Sequence, residues 1–141
     1  MSVNQRHIDA PPEAVFAVLS DPDSYEHWVV GSSRTFQVDG SWPDVGATFH
    51  HRQGLPVIGP KDTTTVLEVD APRHLRLCVR VRPYIVGEVA LTLRSSGGGT
   101  HVTMVETPVG GMLSRLPHSL LDAALKVRNV ETLRRLAKMA A

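Results

Sequence analysis

The 141-residue sequence predicts an α+β fold in which a strongly curved antiparallel sheet of about seven strands wraps around one long C-terminal helix. Three observations lead there. Strand-like runs alternate apolar and polar residues between regularly spaced turn signals. Two short helices, bounded by prolines, follow the first of these runs. Over the last two dozen residues the apolar period then changes from two to about 3.6.

The first strand is Val3 to Ile8. Pro11 and Pro12 can open a helix, because its first residues need no backbone donor, and Glu13 sits well at the positive helix end. Val15, Val18 and Leu19 give that helix one apolar stripe. Asp21 before Pro22 stops it and caps a second short helix that ends near Trp28. Turn signals then recur at Asp39-Gly40, Pro43-Asp44, Gly54 to Pro60, Asp70-Ala71-Pro72, Arg82-Pro83 and Ser95 to Gly99. Between them lie strands over Arg34–Val38, Ala47–Arg52, Thr63–Val69, His74–Val81, Val86–Arg94 and Thr100–Glu106.

The run His74–Val81 is the clearest. It sends Leu75, Leu77, Val79 and Val81 one way and His74, Arg76, Cys78 and Arg80 the other, a buried face and a wet face. Val89, Leu91 and Leu93, then Val102 and Met104, repeat the pattern. Short polar connections favour an antiparallel meander. From about Leu116 to Ala140, Leu116, Leu120, Leu121, Ala124, Leu125, Val127, Val130, Leu133, Leu136 and Ala137 recur at helical spacing. Pro117 falls in the first turn of that helix, and Arg134, Arg135 and Lys138 suit its negative end.

Composition narrows the function classes. The chain is long enough for one domain with a core that needs neither disulfide nor metal. A formal charge of +1 does not argue for nucleic acid, and aromatic residues at 5% are too sparse to stack bases beside the arginine clusters at Arg73–Arg82 and Lys126–Lys138. Those clusters read as solvated faces. The single cysteine, Cys78, reads as a reduced structural thiol. The N-terminus lacks the apolar core of a secretion signal, and no run has the ~20 apolar residues of a membrane span. The expectation is a cytoplasmic protein without membrane insertion. The histidines show no dedicated zinc spacing, and Gly97-Gly98-Gly99 reads as a hairpin turn, not a phosphate cradle. No metal and no cofactor is implied.

Several pieces of the chain resemble the SRPBCC (START-like) superfamily, in particular its polyketide cyclase/dehydrase-type branch. They are Ile8-Asp9-Ala10-Pro11 with Val15-Phe16, the block Asp21 to Trp28, and Val45-Gly46 before a strand. Asp70-Ala71-Pro72 followed by Leu75, and Asn129-Val130 with Leu133 and Leu136, complete the set. The resemblance spans essentially the whole chain. It implies the helix-grip fold, with an elongated cavity between sheet and helix, and a small hydrophobic ligand as partner.

In such a fold the functional candidates are polar or aromatic residues on strands whose same-face neighbours are apolar. Parity with Met104 turns Glu106 inward, and parity with Phe49 turns His51 inward, which makes the two a candidate acid–base couple across adjacent wall strands. Leu75, Leu77, Val79, Val89, Leu91, Leu93, Val102, Met104, Leu120 and Leu125 read as aliphatic wall. The resemblance places Trp28 against the cavity floor or the sheet edge, in a mainly structural role. Trp42 and Tyr84, beside Pro43 and Pro83, read as loop aromatics that gate a ligand or contact a partner. Leu55 to Pro60 reads as a lid, and Val109 to Leu116 as the opposite rim. On the long helix, Asp122 reads as solvent-exposed and Asn129 as a polar group able to face the cavity or to hold structure by hydrogen bonding.

The leading expectation is therefore a protein that binds a lipid-like, polyketide-like or aromatic metabolite. A second, implied by the resemblance, is a cofactor-independent cyclase/aromatase- or dehydratase-like enzyme, with His51 and Glu106 as acid and base and Tyr84 or Arg80 orienting an oxyanion. The outward parity of Arg80 counts against its part. A third is a protein-interaction module using the arginine-rich face. A homodimer is compatible with all three.

Overall fold

The structure, a computed structural model, describes residues 1–54 and 59–141; the expected lid falls largely on 55–58 and lies outside the described residues. The element order is β1 (Ser2–Ile8), α1 (Pro12–Leu19), α2 (Tyr25–Trp28), β2 (Ser32–Asp39), β3 (Thr48–Gln53), β4 (Lys61–Asp70), β5 (His74–Val81), β6 (Ile85–Ser96), β7 (Gly99–Gly110) and α3 (His118–Ala140). One antiparallel sheet runs in the order β1-β7-β6-β5-β4-β3-β2, so β1 is carried to the far edge beside the last strand.

Local chemistry accounts for the junctions. Pro11 stands at the N-cap of α1, Pro12 is its first residue, and Ser20 Oγ returns a hydrogen bond to the Phe16 carbonyl at its end. The Asp21 carboxylate accepts from the Asp23 amide at 3.1 Å, capping the single 3₁₀ turn Pro22–Ser24 that leads into α2. Gly97 and Gly98 both have positive φ and close a two-residue hairpin between β6 and β7. Register shifts between Ser32 and Gln37, Val66 and Glu68, and Val86 and Gly87 bend the sheet around the helix.

Two boundaries differ from expectation. The β6–β7 hairpin is longer, because residues 107–110 continue to pair beyond the last alternating apolar residue. The segment expected to enter the long helix is thus partly strand, followed by a 3₁₀ turn at Met112–Arg115. The helix begins only at His118, with Pro117 at its cap.

The core lies between sheet and helices, built from Ile8, Val15, Phe16, Leu19, Leu75, Leu91, Leu93, Val102, Leu133 and Leu136 among others. Leu75, Leu93 and Val102, expected as cavity wall, are packed inside it. The inward stripe of α3 is Leu121, Leu125, Asn129, Thr132, Leu133 and Leu136. Leu120, Val127 and Val130 face outward, which corrects the placement of Leu120 in the wall: one position of helical phase separates it from Leu121.

Candidate functional site

The inner face of the sheet and the N-terminal half of α3 enclose two chambers. The inner one is lined by Tyr25, Trp28 and Val29 at one side, by Phe49, His51 and Thr64 from β3 and β4, and by Leu77, Val79, Val89, Leu91 and Met104 from β5 to β7. Counting the room available to the centre of a water molecule, it holds about 40 Å³. That suffices for a few waters or one small group, since a single water needs roughly 10–15 Å³ on that measure. The outer chamber, about 320 Å³, lies among Val81, Tyr84, Ile85, Leu113, Leu121, Ala124 and Leu125. Gln53, Val79, Glu106 and Arg128 border both chambers and form the neck between them.

Glu106 faces inward from β7, as parity predicts, opposite Val89 on β6. A buried carboxylate needs partners, and two come from α3. Asn129 Nδ2 donates to Glu106 Oε1 at 2.8 Å and Arg128 Nη1 donates to the same oxygen at 3.4 Å. Arg128 Nη1 also donates to Asn129 Oδ1 at 3.2 Å, which closes a three-residue network. Arg128 Nε donates to the Val30 carbonyl at 2.9 Å, and the Val30 amide donates to Thr132 Oγ1 at 3.2 Å. The segment after α2 is thereby clamped to the helix beside the neck. Asn129 is fully buried and spends its amide on Glu106; Asp122 instead accepts from the amino terminus of Met1 at 2.7 Å.

His51 sits on the inner face of β3 and is almost completely buried. Gln53 Nε2 lies 3.1 Å from its Nδ1. An amide nitrogen can only donate, so Nδ1 accepts and the neutral ring carries its proton on Nε2. Nε2 itself has no hydrogen-bond partner among the described residues. Burial drives the ring's pKa below 6.5, outweighing the backbone of Thr63 and the Asp62 carboxylate, which pull the other way. At neutral pH the ring is uncharged.

The expected acid–base couple is not formed. β3 and β7 are not adjacent; β4, β5 and β6 stand between them. His51 is held by Gln53 while Glu106 is held by Asn129 and Arg128. The parity argument orients both residues correctly, but the meander itself sets three strands between them.

The aromatic expectations divide. Trp28 lies under the inner chamber, its Nε1 donating to Ser24 Oγ at 3.1 Å. Phe49 lines the same chamber. Trp42 is packed inward rather than exposed in its loop: its Nε1 donates to the Leu19 carbonyl at 3.0 Å and its ring packs edge-on to Phe49, centroids 4.7 Å apart. It belongs to a cluster centred on Tyr25, whose hydroxyl donates to the same carbonyl at 2.7 Å and whose pKa burial pushes far up. Tyr84 borders the outer chamber and is half-exposed. Leu77, Val79, Leu91 and Met104 line the inner chamber and Leu125 the outer one, as expected. Arg80 points outward and donates to Thr65 Oγ1 at 2.9 Å and Thr63 Oγ1 at 3.3 Å, so it orients nothing in the cavity.

Tyr25, Val29, Ser32, Gln53, Thr64 and Arg128 are among the wall residues that sequence reading missed. Arg128 was absorbed into a basic cluster read as solvated. Its signal was its phase: it stands three residues after Leu125 and seven after Leu121, on the edge of the inward stripe.

At the mouth, Gly111 has φ of +94°, and a Cβ there would lie 2.5 Å from both the Tyr84 carbonyl oxygen and Ile85 Cα. Only glycine permits that approach. It lets the Met112 and Leu113 amides donate to the carbonyls of Pro83 and Tyr84, at 2.9 and 2.8 Å, joining the 3₁₀ turn to the β5–β6 hairpin as one rim. Among the described residues no group of three His, Cys, Asp or Glu side chains could hold a metal ion, and no helix is long and apolar enough to cross a membrane.

The family model described as polyketide cyclase / dehydrase and lipid transport matches residues 2–141. Solved structures with the same architecture include protein CV1439 of Chromobacterium violaceum, at 19% identity and a TM-score of 0.73, covering 98% of this chain and 94% of that one. A conserved protein of Geobacillus kaustophilus gives 15% identity and a TM-score of 0.74, covering 98% and 93%. CalU16 of Micromonospora echinospora gives 18% and 0.66, covering 99% and 74%. At these identities the likeness speaks for the fold. No match was found among curated proteins.

Proposed function

We propose that this chain, which belongs to the polyketide cyclase/dehydrase and lipid transport family, acts as one ligand-binding domain that holds a small hydrophobic or aromatic metabolite between its sheet and α3. The observation that carries this reading is the pair of chambers meeting at Gln53, Val79, Glu106 and Arg128. Their walls are otherwise largely aliphatic and aromatic, as small-molecule sites are. The volumes suggest a ligand whose body occupies the outer chamber and whose narrow end reaches through the neck. With Glu106 and Arg128 neutralising one another and His51 uncharged, an uncharged ligand suits the neck better than an ion.

Binding is favoured over acid–base catalysis because each candidate is committed to a partner of its own and the two stand on strands that are not adjacent. A cytoplasmic setting, where the lone thiol of Cys78 stays reduced, belongs to the same proposal.

Denaturing extraction of the purified protein followed by mass spectrometry tests the reading. The expected result is a co-purified apolar compound, or thermal stabilisation by members of a panel of fatty acids, ketones and polycyclic aromatics. Leu125→Trp, which fills the outer chamber, should abolish the stabilisation. A protein that carries nothing and responds to no member of the panel would refute it.

A further inference from the structure

Three cations stand in one row across neighbouring strands. Arg34 on β2 is directly opposite Arg52 on β3, and Arg52 is directly opposite Lys61 on β4. The next row in register, Thr35, His51 and Asp62, is buried on the inner face, so strand alternation turns the cations to the outer face. Like charges directly opposite one another destabilise a sheet. An acid would relieve the row, yet every acid on these three strands is held elsewhere. Asp39 is bonded to His50 and Gln37, and Asp62 turns inward to Arg82. Glu68 serves His74 and Arg76, and Asp70 serves Arg73.

The row also borders a space. Arg34, Arg52, Lys61 and Phe36 line a hollow of about 180 Å³ on the measure used above. A register shift between Thr35 and Gln37 sets Phe36 out from the ladder, and it is 42% exposed. Lys61 Nζ stands 5.7 Å from the centroid of that ring, which steadies the ammonium at the hollow. Arg52 Nη1 donates to the Gly59 carbonyl at 2.9 Å. Neither Arg34 nor Lys61 makes a side-chain hydrogen bond or ion pair among the described residues. A local rule broken without compensation inside the fold marks a functional position.

We propose that this hollow on the outer face of β2, β3 and β4 binds a small polyanion with linked phosphate groups, a di- or triphosphate that is free or carried by a nucleotide. A single phosphate brings about −1.5 to −2 charges, too few for three cations, whereas two or three linked phosphates match them. Guanidinium groups meet phosphate oxygens with paired N–H donors, and lysine adds a point charge. The site lies on the opposite face of the sheet from the two chambers and does not rest on the ligand reading above.

Calorimetric titration of the full chain at fixed ionic strength tests it, with pyrophosphate, tripolyphosphate, orthophosphate, sulfate and ADP. Pyrophosphate and tripolyphosphate should bind roughly tenfold or more tighter than orthophosphate or sulfate, and raised salt should weaken them. Arg34→Gln and Lys61→Gln should each weaken pyrophosphate about fivefold, and Arg34→Glu with Lys61→Glu should abolish its binding. Arg94→Gln, at an exposed cation on β6, should leave it unchanged. Without anion, the two single Gln variants should unfold about 1–3 °C higher than the parent, because each relieves repulsion. ADP that binds tighter than pyrophosphate, with the gain lost in Phe36→Ala, assigns the nucleotide as source; equal affinity assigns the phosphate chain alone. No binding of either polyphosphate, or binding that the double Glu variant retains, overturns the site. So does a lower midpoint for both Gln variants without anion, since the row would then serve the fold.

Discussion

The two halves of α3 lie against the same sheet and do opposite things. In the C-terminal half, Leu133 and Leu136 are fully buried in the core that also holds Val15, Phe16 and Leu19 of α1. In the N-terminal half, Leu121, Ala124, Leu125 and Arg128 border a chamber of about 320 Å³. The difference comes from what the helix meets. α1 packs over one end of the sheet and supplies side chains to fill the gap. At the other end, among the described residues, a 3₁₀ turn, the β5–β6 hairpin and the segment at Val30-Gly31 border the space beside the sheet. The outer chamber opens where α1 no longer covers the helix, and the amphipathic period is the same on both sides of that boundary.

That contrast can be broken by experiment. The largest effect should come from Leu136→Ala, which leaves a closed void in a dense core and should cost about 3 kcal/mol or more in urea unfolding. Arg128→Met should follow at about 2–3 kcal/mol, because it leaves the Glu106 carboxylate buried with Asn129 as its remaining partner. Adding Glu106→Gln to that variant should recover most of the loss, which a merely steric role for Arg128 would not allow.

A smaller effect should appear with pH. His51 has a folded pKa below 6.5, so below that pH the unfolded chain binds a proton that the folded ring declines. The unfolded state then carries more protons, and stability falls as pH drops, by at most about 1.4 kcal/mol per pH unit from this group. Replacing His51 with Gln should flatten that part of the decline between pH 6.5 and the folded pKa; an unchanged slope would remove His51 from the account. The smallest effect should come from Leu125→Ala, at about 1 kcal/mol, because truncation there enlarges a hollow that already exists. If it matched Leu136→Ala, the outer chamber would have to be as tightly packed as the core.

Much of this was legible beforehand, and the reasons are local. Pro11, Pro12 and the Asp21-Pro22 pair constrain backbone angles and remove donors wherever they occur, so the strand–helix–helix opening could be read directly. Period-two alternation within a strand survives any tertiary detail, which is why His51 (in step with Phe49) and Glu106 (in step with Met104) are turned inward and Arg80 outward as read. The errors fall where a side chain's surroundings come from distant chain. Trp42 beside Pro43 looks like an exposed loop residue until the Leu19 carbonyl and the Phe49 ring reach it. Arg128 looks solvated until Glu106, twenty-two residues earlier, arrives on its strand.

Taken alone, the chain determined its element order, its curved meander and the inward parity of each wall strand. These rest on backbone stereochemistry and on periodicities of two and 3.6, which act over a few residues. The tertiary structure alone decided that Glu106 is tied to α3 and that the open space lies toward the mouth. Those outcomes depend on which distant surfaces meet and how fully their volumes match, and no local pattern encodes the space left between them.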